Sequence, residues 1–226
     1  MVHNTLLGDH VTSFTFLHVE YLLQAAVWTV VLSLVAFLFG GVAGFVIALW
    51  RVSPNKTLRA IASWYIQIVQ GIPLLVILFV AYFGLAIAGF KLSPLVAAGI
   101  SFAIYCAAFL GEIWRGCIEA VPKTQWEASE CLGFNRFEQL QKVILPQAFK
   151  IAIPPTVGFM VQIVKNTSLA SVIGFVDLSR AGQIINNSTF QPFTVFGCVA
   201  LIYFCLCYPL SALSKHFERK LNVSNR

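Results

Sequence analysis

A chain of 226 residues that is 58% hydrophobic and only 11% charged, with a mean hydropathy of +0.82, has too little charge for a soluble domain, since such domains run at about a quarter charged residues. Its net charge of +6 is no sign of nucleic-acid binding until the placement of the basic residues is known. Twenty Phe, five Trp and six Tyr suit a surface that faces lipid, with aromatic side chains near the two interfaces.

The cysteines at 106, 117, 131, 198, 205 and 207 form no C-x-x-C pair. Cys205 and Cys207 would point about 200° apart on a helix. Small buried thiols are the better reading than a disulfide framework or a zinc site. Residues 1–20 contain no Lys or Arg, so no basic leader of a signal peptide is expected. His3, His10 and His18 on this arm read as hydrated side chains rather than metal ligands.

Crossing a bilayer takes about 20 mostly apolar helical residues. The first candidate span is the uncharged stretch 21–50. Within it Gly40 and Gly44 form G-x-x-x-G, which either lets two helices approach closely or is merely the glycine common in membrane helices. The second span is expected over about 60–88 and carries VQGIPLL near its start. Gly71 and Pro73 interrupt helical hydrogen bonding there, a break tolerated only where neighbours or a water-filled cavity satisfy the freed carbonyls. The third span is about 92–112, and Glu112 and Arg115 at its end are spaced to pair, a structural role. The fourth, about 148–170, is the least apolar, and the fifth is about 194–214. The fold class expected is therefore an all-α integral membrane protein of about five transmembrane helices, a single domain over residues 1–226.

Orientation follows from the bias of Lys and Arg toward the cytoplasm. With five spans, twelve of the fifteen basic residues fall on the side of the 51–59 loop, the 112–150 segment and the C-terminal tail. The N-terminus is then outside and the C-terminus cytoplasmic. The basic excess reflects topology and attraction to anionic lipid rather than nucleic acid.

Between spans three and four lies a polar island, EASECLGFNRFEQLQKVILP, holding Glu127, Glu130, Arg136, Glu138 and Lys142. Pro122 breaks the chain before it, and Trp126 to Leu132 suits a short helix that closes at Gly133, the usual residue for a left-handed end. A second short helix should follow, with Phe134, Phe137, Leu140 and Ile144 on one stripe and Pro146 marking its exit. Such helices cannot span a bilayer, so they lie on it or dock to another body.

E-A-S-x-x-x-G, nine residues, then V-I-L-P resembles the E-A-A-x-x-x-G…I-x-L-P signature of permease subunits of bacterial ABC importers. Glu127, Ala128, Gly133, Leu145 and Pro146 match in register, while Ser129 replaces the second Ala and Val143 the Ile. QGIPLLVILFVAYFG, AAFLGEIWRGCIEAVPKTQWEA and VKNTSLASVIG extend the likeness to the polar amino-acid uptake group (histidine, glutamine, glutamate, arginine or cystine type). Gln70 stands where Arg is common, Lys123-Thr124 where Lys-Gly is, and Asn166 where Asp is usual.

The resemblance implies that the island, about 113–147, is a coupling loop. Glu127, Ala128, Ser129, Gly133, Arg136, Leu145 and Pro146 would engage a cytoplasmic ATPase. It also implies two ATPase copies that bind ATP and Mg, a second permease (self or paralogue), an extracytoplasmic amino-acid-binding protein, and a multi-pass place in the inner membrane. The chain has no G-x-x-x-x-G-K-[ST], so it is read as no enzyme and as holding no cofactor or metal of its own. Polar groups interrupting apolar runs are the substrate-path candidates: Gln70, Gly71, Pro73, Gln162, Asn166, Thr167 and Ser168. An ion-coupled secondary transporter and a non-transporting subunit of a membrane complex are the alternatives. The first lacks visible paired repeats and embedded ionisable residues, and the second leaves the ordered island unexplained.

Overall fold

The computed structural model describes residues 13–224. Among them all regular structure is helical: α1 (Phe16–Arg51), α2 (Lys56–Gly71), α3 (Leu74–Ile87), α4 (Pro94–Glu119), α5 (Lys123–Cys131), α6 (Arg136–Ile173), α7 (Leu178–Thr189) and α8 (Pro192–Ser224). Helix starts follow local chemistry. Asn55 accepts the Thr57 amide at 2.9 Å ahead of α2, and Ser93 precedes Pro94, whose missing N–H costs nothing in a first turn. His3 and His10 lie outside the described residues. The His18 ring accepts the Thr15 amide at 3.0 Å at the start of α1.

Four helices, α1, α4, α6 and α8, are long and apolar enough to cross a membrane. The expected second span is not one straight helix. α2 and α3 meet at 98°, with Ile72 and Pro73 between them, so a fifth crossing exists only as a broken pair. At about 1.5 Å per residue neither piece alone matches a hydrocarbon layer of about 30 Å. The other expected spans are extended: α1 starts before residue 21, α4 runs on past 112, and α8 reaches 224.

The main buried cluster joins α1 (Leu32, Ala36), α3 (Leu78), α4 (Phe102, Leu110) and α6 (Phe159, Ile163). A second cluster ties the start of α1 to α7 and α8 through Leu22, Leu178 and Val195. Large side chains such as Leu38, Phe39, Trp64, Leu201 and Phe204 remain exposed around the helices. A water-soluble protein would not leave so many uncovered, and they form the lipid-facing surface.

The glycine spacing in α1 is a packing device within the chain. A Cβ at Gly40 would lie 2.8 Å from the Ala103 carbonyl oxygen and closer still to the Cys106 side chain. At Gly44 it would lie 3.1 Å from the Ala107 oxygen, and at Gly111 2.8 Å from Ile47. Backbone thus closely meets backbone between α1 and α4 at Gly40 and Gly44, and at Gly111 the Ile47 side chain takes the place of a Cβ. Gly41, one residue on, faces Trp114 at an ordinary 3.7 Å. Gly40→Ala is therefore expected to lower stability by about 1–3 kcal/mol, as overpacking does, and Gly41→Ala to leave it nearly unchanged. Thermal aggregation of the two detergent-solubilised variants, followed by size-exclusion chromatography, measures the difference.

Candidate functional site

The polar island folds as an elbow. α5 closes in the left-handed conformation at Gly133 (φ +79°), with Gly133 N–H donating to the Glu130 oxygen at 2.9 Å and Phe134 N–H to the Ser129 oxygen at 3.2 Å. This pair of bonds is the glycine-terminated helix end anticipated from the sequence. Asn135 and Glu138 then cap the next helix reciprocally, each side chain accepting the other's amide, at 3.0 and 3.1 Å. Glu138 also pairs with Lys142 at 2.9 Å.

The inside of the elbow is fixed by contacts between its arms. The Arg136 guanidinium lies 4.1 Å above the Trp126 ring, and buried Gln139 donates to the Phe134 oxygen at 3.2 Å. Gln147 donates to Gln125 at 3.3 Å. Ile144 and Ala148 pack on Ile118 and Val121, so the elbow rests on the end of α4.

Two expectations change. Pro146 does not end a short helix, because helix continues unbroken from Arg136 into the membrane-length segment. A wide turn over Gln139–Ile144, in which the Leu145 amide reaches back to Leu140, precedes the proline and relaxes the ladder where its amide is missing. Phe137 does not join the inner stripe with Phe134, Leu140 and Ile144, and is 71% exposed.

Of the remaining coupling candidates, Glu127, Ala128 and Gly133 lie on the exposed outer surface beside Leu132, itself 75% exposed. Ser129 is buried and its hydroxyl donates to the Trp126 oxygen at 2.8 Å, so its small size serves the elbow's own packing. Leu145 packs on the Ile118–Ile144 cluster, and Pro146 is exposed.

Glu112 and Arg115 pair as their spacing suggested, with Arg115 Nε donating at 3.0 Å. The pair grows into a network that sequence spacing could not reveal. Glu112 also meets Arg51 of α1 at 3.6 Å, and Arg115 meets Glu119. Two helical turns' worth of charge on α4 thereby ties the ends of α1 and α4 just before the elbow.

The path candidates divide. Gln70, Gly71 and Pro73 are exposed at the α2–α3 break, and Leu74 after it belongs to the cluster containing Ile163 and Ala170. Thr167 is fully buried and donates to the Val164 oxygen at 2.8 Å, and Ser168 donates to the Lys165 oxygen at 2.8 Å. Both hydroxyls therefore satisfy the end of the α-helical part of α6. Gln162 is exposed, and Asn166, partly exposed, follows one turn later on the same face.

Asp177 was not singled out by sequence and is completely buried. It starts α7 by accepting the Arg180 amide at 2.9 Å, and its other oxygen accepts the Tyr203 hydroxyl of α8 at 3.1 Å. The neighbouring Leu178 amide donates to Thr29 of α1 at 3.1 Å. Burial pushes the Asp177 carboxyl up, against the lowering effect of these hydrogen bonds. The folded chain then holds that proton more tightly than the unfolded chain, so acidification through the folded value favours the fold at this position. Asp177→Asn, which keeps a capping oxygen without charge, is expected to fold with little loss. Asp177→Ala should lose about 1–2 kcal/mol through the missing cap and the lost hydrogen bond from Tyr203. Melting of both variants in detergent at neutral and mildly acidic pH checks the order.

These features define a class: a multi-helix membrane protein with a broken second segment and a rigid polar elbow that leads straight into a spanning helix. The chain belongs to the family described as binding-protein-dependent transport system inner membrane component, which matches residues 37–223. It is 36% identical over 200 residues to the probable amino-acid ABC transporter permease protein YckA of Bacillus subtilis (strain 168), covering 88% of each chain. It is also 36% identical over 196 residues to the L-cystine transport system permease protein TcyB of the same organism, covering 86% of this chain and 84% of that one. A solved amino acid ABC transporter with histidines superposes with a TM-score of 0.85 at 33% identity, over 92% of this chain and all (100%) of that chain. The MetNI methionine ABC transporter, in an inward-facing conformation, matches with a TM-score of 0.76 at 22% identity over 92% and 99%, a likeness of fold. By homology the chain is a permease subunit of an ABC amino-acid importer.

Proposed function

We propose that the chain moves a polar amino acid across the cytoplasmic membrane, driven by a separate ATPase seated on the elbow. The observation that carries this reading is the elbow itself. Its inner side is cross-braced, while its outer side presents Leu132 and Phe137 beside Glu127, Glu130 and Gly133. Exposed apolar side chains rimmed by charge are what a docking surface presents. Arg51 at the end of α1 and Lys215, Arg219 and Lys220 at the end of α8 lie on the elbow side, which supports a cytoplasmic elbow and an external N-terminus.

One five-segment chain does not enclose a path, so a second permease, this chain or a paralogue, completes it, and an external binding protein delivers substrate. The path itself is assigned to the face of α6 carrying Gln162 and Asn166, with Gln70, Gly71 and Pro73 at the α2–α3 break as further members. An exposed glutamine on a spanning helix suits a neighbouring subunit or water, not lipid. Thr167 and Ser168 support that face from within the helix.

Co-purification from native membranes in mild detergent should recover a P-loop ATPase together with this chain. Glu127→Arg or Gly133→Arg is expected to abolish ATP-driven uptake in vesicles while membrane insertion stays normal. The arginine at 127 places charge on the docking surface, and at 133 it also meets a left-handed backbone that disfavours side chains. Normal uptake by either variant would sink the coupling assignment. Asn166→Ala should change the apparent KM for the transported amino acid by about tenfold, the effect of losing one hydrogen bond to a charged group. Unchanged kinetics would remove Asn166 from the path.

A further inference from the structure

A cavity of about 800 Å³ lies on the elbow side of the molecule, between the start of α6, the Ala120–Pro122 turn and the end of α8. Its walls carry Lys150 and Glu218, opposite charges from different helices, together with Ser214, Pro154, Pro155 and Gly158. Neither Lys150 nor Glu218 forms an ion pair among the described residues, whereas Glu112, Glu119 and Glu138 each do.

Two adjacent prolines inside α6 give the cavity a second polar feature. Pro154 and Pro155 have no amide to offer the carbonyls four residues earlier, those of Lys150 and Ile151, and both of these residues line the cavity. The prolines are held in place from α8, where Ser214 donates to the Pro154 oxygen at 2.8 Å. The cavity therefore combines one cation, one carboxylate and spare carbonyl acceptors, on a scale that suits small-molecule sites.

We infer that this cavity is an inner site for the zwitterion of an amino acid leaving the transporter. Glu218 and the carbonyls of Lys150 and Ile151 take its ammonium group, and the Lys150 ammonium takes its carboxylate. A position on the route agrees with this. Pro155, Gly158 and Gln162 are exposed along one face of α6, and Asn166 follows at the next turn, so the cavity ends the face to which the path is assigned. The inference rests on the importer reading for its direction, but its chemistry is that of the cavity alone. An anionic lipid headgroup would use Lys150 and have no need of Glu218.

The test uses the permease with its co-purified ATPase in nanodiscs of neutral lipid, with a cysteine at Gly158. A Cβ there meets nothing nearer than Ser214 at 3.7 Å, so the substitution fits. Ile151→Cys, also on the cavity wall, is the second reporter should the first variant fail to assemble. Maleimide labelling at the reporter is read by site-resolved mass spectrometry with L-glutamine as the probe zwitterion. For a site of about millimolar affinity, L-glutamine at tenfold excess over Kd should slow labelling about tenfold.

N-acetyl-glutamine and glutamine methyl ester, each lacking one charge, should protect little, and Lys150→Met or Glu218→Gln should remove the protection by L-glutamine. Equal protection by the blocked compounds, or protection insensitive to Glu218→Gln, overturns the zwitterion site. The latter outcome, with loss on Lys150→Met, indicates an anion site instead. Reconstituted ATP-driven uptake is measured on the same preparation. Uptake without protection overturns the inner site and leaves the importer reading intact, whereas absence of uptake from the intact complex overturns that reading as well.

Discussion

The contact between α1 and α4 governs how the rest of the chain is arranged. Lipid gives apolar side chains no reason to leave it for one another, so helices in a membrane associate through close backbone approach and polar links. Gly40 and Gly44 provide the approach to the α4 backbone, and Gly111 makes room for Ile47 of α1. Beyond the glycines, the Arg51–Glu112–Arg115–Glu119 network joins the same two helices at the elbow end. The two devices fix the end of α4, and the Ile118–Val121 surface at that end is where the elbow rests. The orientation of the elbow is thus inherited from a helix pair that takes no other part in it.

Polar groups in the remainder of the bundle occur mainly where the backbone needs them. Thr167 and Ser168 close the α-helical part of α6, Asp177 opens α7, and Ser214 engages the proline step in α6. In hydrocarbon each unpaired backbone group would cost several kcal/mol, which explains why irregular segments and hydroxyl-bearing residues coincide. Polar side chains left over by this requirement include Gln162 and Asn166, which no hydrogen bond among the described residues accounts for.

Much of this was readable in the sequence, for identifiable reasons. Uncharged runs mark membrane helices because charge is expensive in lipid, and Gly71–Pro73 marks a break because both residues weaken a helix. Gly133 announces a left-handed turn through its lack of a Cβ. The 98° between α2 and α3 is not encoded locally, since packing on α4 sets it. Helix continuing through Pro146 was hidden because the wide turn that accommodates it has no sequence signature. Asp177 escaped notice since its carboxylate's partner across the fold, Tyr203, lies 26 residues away.

Continuity through Pro146 has a mechanical consequence. The 38 residues from Arg136 to Ile173 run as one continuous helical segment. Phe137 and Asn166 sit near its opposite ends. Had the helix stopped at the proline, a displacement at the elbow could have been absorbed in a loose joint. In one continuous segment held by Ser214 near its middle, such a displacement meets no loop before the membrane part, and the Pro154–Pro155 step, which lacks two amides, is where the segment can bend.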